Sequence, residues 1–73
     1  MTKRYVYIVK GTEIPIVGVW SSRKEAIEEA INHAKDSGVI DYRLDDINDE
    51  FALIVPLKYE VFEKVEILRY AIQ

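Results

Sequence analysis

Ser21-Ser22-Arg23-Lys24-Glu25-Ala26-Ile27-Glu28-Glu29-Ala30-Ile31-Asn32-His33-Ala34-Lys35-Asp36 decides the fold. Ser22 and Glu25 stand in the S-x-x-E spacing of a capping box, which satisfies N–H groups that a helix start leaves without partners. Behind them Ala26, Ile27, Ala30, Ile31 and Ala34 recur at helical spacing as one apolar stripe. Glu25, Glu28, Glu29, Asn32 and Lys35 take the watery side. Acids in the first turn suit the helix dipole. Gly38 ends the segment as a left-handed residue does. The spacing predicts a helix over roughly 23–36, and its small alanines let it sit close against a sheet.

The residues upstream supply that sheet. Arg4 to Lys10 reads Arg-Tyr-Val-Tyr-Ile-Val-Lys, rich in tyrosine and β-branched residues, and predicts a strand. Alternation sends Tyr5, Tyr7 and Val9 to one face and Val6 and Ile8 to the other. Neither face is polar. Gly11-Thr12-Glu13 reads as a turn, and residues 14–20 as a returning strand. There Ile14, Ile16 and Trp20 share a face, and Pro15 demands a sheet edge because it has no N–H to donate. Gly18 marks a bulge or a close approach of the helix.

Downstream, residues 39–44 alternate weakly, as a short strand would. The acids of 41–50 read as a solvated loop, with a turn at Asn48-Asp49. Residues 51–55 (Phe-Ala-Leu-Ile-Val) predict a buried strand that Pro56 ends. Two patterns compete in 59–73. Val61, Val65, Leu68 and Ile72, with the Glu60/Lys64 spacing, fit a helix. The propensities of Lys64-Val65-Glu66-Ile67-Leu68-Arg69-Tyr70 favour a strand, which is expected over about 64–72. The expected fold class is α+β: one domain spanning 1–73, with a three- to four-stranded, mostly antiparallel sheet and one amphipathic helix on one face, ββαββ-like.

Composition narrows the functions. Seventy-three residues, 49% of them apolar, suffice for one small core and leave little room for a deep substrate cavity. Cysteine is absent, which removes disulfides, thiolate metal sites and thiol chemistry and points to a cytoplasmic protein. No run is long enough to span a membrane. The net charge of −3, without a basic stripe, argues against nucleic acid as partner.

The chemistry-bearing residues each carry a plainer reading. His33 is the lone histidine, with Asp36 three residues on, too few ligands for a metal. Asp45-Asp46-Ile47-Asn48-Asp49-Glu50 lacks the alternation and glycine of a calcium loop. Ser21 and Ser22 have no glycine-framed elbow, and their position at the helix start explains them. The three glycines are scattered and form no phosphate loop. No catalytic, cofactor-binding or metal residue is assigned, and no cofactor is expected. The candidate interaction surface is Tyr5, Tyr7 and Trp20 on an outward sheet face, with Asp41, Asp45, Asp46 and Asp49 in the acidic segment.

The stretch Val17-Gly18-Val19-Trp20-Ser21-Ser22-Arg23-Lys24-Glu25-Ala26, preceded by Tyr5-Val6-Tyr7-Ile8-Val9, resembles a family of small uncharacterised bacterial and phage proteins. Their strand leads into an "IGVYSSxEEA" segment and a helix. The likeness covers the first 35 residues or so. It implies a phage or mobile-element setting and no established activity. The expected function is therefore a non-enzymatic protein-interaction module that binds and regulates or inhibits a host protein, with homodimerisation through the Pro15 edge open to it. The alternative is a small-molecule or nucleotide-binding module with its ligand held between protomers.

Overall fold

The computed structural model describes residues 4–12, 14–59 and 64–72, with Tyr59 as backbone alone. Glu13 of the expected turn, and Glu60 and Val61 of the competing helical pattern, lie outside the described residues. The elements run β1 (Arg4–Lys10), β2 (Gly18–Trp20), α1 (Arg23–Asp36), β3 (Val39–Asn48), β4 (Phe51–Tyr59) and β5 (Val65–Ile72). The strands form one sheet in the order β2-β1-β5-β4-β3, every neighbouring pair antiparallel. The α+β class with a single helix is as expected, but the sheet has five strands.

The helix forms as its sequence directs. Ser22 is extended (φ −115°, ψ 129°) and its Oγ accepts the Glu25 N–H at 3.4 Å. Ser37 closes the other end, its N–H donating to the carbonyls of His33 and Ala34. Gly38 follows at φ 100°, a left-handed conformation that costs glycine least. Ala26, Ala30 and Ala34 are completely buried, with Ile27 and Ile31 at the margins of the contact. A ridge of methyl groups lets the helix backbone approach the sheet closely.

The register fixes which strand residues meet this ridge. Gly18, Val9, Ile67, Ala52 and Asp46 lie side by side across all five strands. The next row holds Val65, Ile54 and Leu44. Val9, Ile67, Ala52, Val65 and Ile54 join the alanines and Val39 in one buried cluster. Arg23 pairs with Asp46 at the helix N-terminus, and Lys35 lies 6.0 Å from the Tyr42 ring centre near its other end.

Three expectations are corrected. The returning strand is only Gly18–Trp20; residues 14–17 are loop, pinned by the Val17 N–H to the Val9 carbonyl (2.8 Å). Pro15 therefore sits before the strand, where no ladder bond is asked of it. Residues 39–48 form a full edge strand, because an edge strand has open sides on which acids stay hydrated. And β4 continues through Pro56, which pairs with Tyr42 beyond the last β4–β5 pair, Ile54 with Val65. There β3 is the only described neighbour, as a proline requires.

Gly18 serves space rather than backbone conformation. A Cβ there would stand 2.4 Å from the Trp20 Cη2 and 2.8 Å from its Cζ3, because the indole folds back along the strand. Gly18→Ala is expected to displace the ring from the core margin, at a cost of about 1–3 kcal/mol. The melting temperature then falls by at least several degrees in a domain this small, and tryptophan emission shifts to the red. A melt and an emission spectrum matching the parent would refute this packing.

Candidate interaction surface

One helix covers one face of the sheet, and the same register defines the other. On the far side Val19, Ile8, Leu68 and Phe51 form an unbroken apolar row across β2, β1, β5 and β4. Val6 pairs with Tyr70 to one side of that row and Arg4 with Ile72 beyond it. On the other side Lys10, Glu66, Leu53 and Asp45 lie abreast, followed by Val55 beside Arg43. No element described in the chain packs on this face. Val19 is 54% exposed, Tyr70 48% and Ile72 49%. Ile8, Phe51, Leu53 and Leu68 are half-buried by their strand neighbours.

The charges on this face are compensated locally. Lys10 stands opposite Glu66. Arg43 donates to Asp45 from Nε (2.7 Å) and Nη2 (3.0 Å), a bidentate pair. Hydrogen bonding first, and the carboxylate charge second, hold the Arg43 guanidinium above its usual pKa. Leu53 lies between Glu66 and Asp45, so apolar and charged side chains interleave towards this margin.

The expected outward aromatics are on the opposite side. Tyr7 and Trp20 are register partners on the helix-covered face and pack against the buried cluster. Tyr5 shares that face, with the Arg69 guanidinium 4.2 Å from its ring centre. The alternation of β1 is as expected; the assignment of its faces to core and solvent is reversed. Val9 shares a face with Tyr5 and Tyr7 and is wholly buried, which settles the orientation.

The acidic residues are dispersed. Asp45 and Asp46 project to opposite faces of β3, the first to Arg43 and the second to Arg23. Asp41 accepts the Tyr42 N–H at 2.9 Å. Asp49 lies in the β3–β4 turn, where Asn48 Oδ1 accepts the N–H groups of Glu50 (2.8 Å) and Phe51 (3.0 Å). Among the described residues no group of three or more histidine, aspartate or glutamate side chains is placed to hold a metal ion. His33 is half-buried in α1. No described helix is long and apolar enough to cross a membrane.

Ile8, Phe51, Leu53 and Leu68 are the surface residues that sequence reasoning missed. The signal was present in β1, whose two faces are both apolar. Small residues supply the missing orientation: Ala52 is buried with the alanine ridge, and Gly18 in the same row leaves room for the Trp20 ring. Comparison with protein-family models, curated proteins and solved structures gave no match.

Proposed function

We propose that this chain is a non-enzymatic protein-interaction module that works through the open face of its sheet. The apolar row Val19–Ile8–Leu68–Phe51, with Val6, Leu53, Val55 and Tyr70 around it, carries the reading. Soluble monomers rarely leave a contiguous apolar area of more than a few hundred Å² to water, and such areas mark binding surfaces. An apolar centre with charges towards its margins is also the usual anatomy of a protein interface. Tyr7 and Trp20 support the module from the margin of its core, and the dispersed acids keep its remaining surface hydrated.

Leu53→Lys tests this cleanly. The new cation stands between Glu66 and Asp45, so cross-strand pairing supports the sheet while the face becomes charged. With tagged bait, Leu53→Lys is expected to lose the protein that the parent retains, while Asp49→Lys in the hairpin turn retains it. The opposite pattern, loss with Asp49→Lys alone, would move the contact to the acidic hairpin and refute the open-face reading.

A further inference from the structure

We infer that the occupant of the open face is a second copy of this chain, the two sheets packed face to face with both helices outermost. The inference rests on the interaction-surface reading and gives that surface its partner.

Charge is the first argument. The open face carries Arg4, Lys10 and Arg43 against Asp45 and Glu66, a near balance, although the whole chain has a net charge of −3. The excess acid lies elsewhere: Glu25, Glu28, Glu29 and Asp36 on α1 outnumber Lys24 and Lys35 among its exposed charges, and Asp49 and Glu50 are exposed in the hairpin turn. Copies meeting by their open faces keep these acidic surfaces apart. A near-neutral face bearing both signs also gives a strongly charged partner little to select, whereas it is compatible with itself.

Area is the second. Four strands about 4.8 Å apart, with seven residues of about 3.3 Å each, make a face of roughly 450 Å² in plan. Side-chain relief raises the accessible area above that figure. Two such faces then approach the ~1,200 Å² at which specific interfaces begin. Sheets stacked in this way pack about 10 Å apart, with their inner side chains interdigitated.

The edges supply the third, because they disfavour association by added strands. β2 is three residues long. On β3 the register skips Ile40 and Ile47, and on β4 it skips Leu57, so the ladder at that edge is broken by bulges. These three aliphatics are 66%, 57% and 53% exposed. Bulges and acids such as Asp41 and Asp46 are the usual protection of an edge against strand pairing.

Sedimentation equilibrium over a range of concentrations tests the proposal. The parent is expected at twice its 8.5 kDa chain mass. Leu53→Lys and Leu68→Thr are expected to weaken association at least tenfold with the far-UV spectrum preserved, and Glu29→Lys on the outer helix to leave it intact. The absence of native cysteine allows an independent readout. Leu53→Cys should react slowly with a maleimide in concentrated solution and faster on dilution. A parent that is monomeric throughout, a dimer indifferent to both face variants, or a labelling rate independent of concentration would overturn the second copy. If the parent is monomeric yet Leu53→Lys still releases a different captured protein, only the self-partner is lost. If Leu53→Lys also changes no capture, the interaction face goes with it.

Discussion

Ile54→Ala is expected to remove most of the domain's stability. Ile54 has no exposed surface and is among the largest fully buried side chains of the described core. It lies between Leu44 and Val65 in the sheet, beneath the helix. Removing the outer carbons of such a residue costs about 2–5 kcal/mol, transfer and cavity terms together. A single core of this size rarely supplies more than about 3–5 kcal/mol in total. The substitution therefore removes much of the margin. Urea titration followed by far-UV circular dichroism, at low protein concentration so that association does not mask the loss, would check it. A variant whose midpoint stays close to the parent's would remove Ile54 from the core.

Ala30→Leu should damage the fold by the opposite route. Ala30 is wholly buried at the centre of the Ala26, Ala30, Ala34 ridge. Leucine has better intrinsic packing area but no volume to occupy here, and it would lift the helix off Val9, Ile67 and Ile54. Overpacking of this kind costs about 1–3 kcal/mol, and here the ridge itself is the contact. Glu29→Leu, one position away on the exposed side, is the control; it should change stability by no more than about 0.5 kcal/mol. Equal melting temperatures for the two variants would show that the helix–sheet spacing has slack.

These two sites were legible in the sequence to different degrees. The alanine stripe and its cap could be read outright, because helical period and capping chemistry are local. The strand at β5 was decided by propensity, and its observed span, Val65–Ile72, agrees with that reading. β3 was partly concealed because its acids resemble loop composition, although at a sheet edge they cost little. Pro56 reads as a terminator, since sequence alone does not show that a strand has lost one neighbour. The interaction surface was hidden for a related reason. Alternation sorts Tyr5, Tyr7 and Val9 from Val6 and Ile8, but the choice of covered face depends on where the helix lands. That is set by long-range register, through residues as small as Gly18 and Ala52.

The position of β5 has a consequence for how the molecule comes together. It lies between β1 and β4, so the centre of the sheet joins strands from opposite ends of the described chain, Arg4 facing Ile72 and Lys10 facing Glu66. Before β5 arrives, β1, β2 and α1 form one fragment and the β3–β4 hairpin another, with no strand pairing between them. The final strand is thus a keystone. Closure waits on the most distant pairing, and chains dominated by such pairings fold slowly. Truncation before Val65 would leave two strand groups joined only through α1, rather than a smaller version of the same sheet.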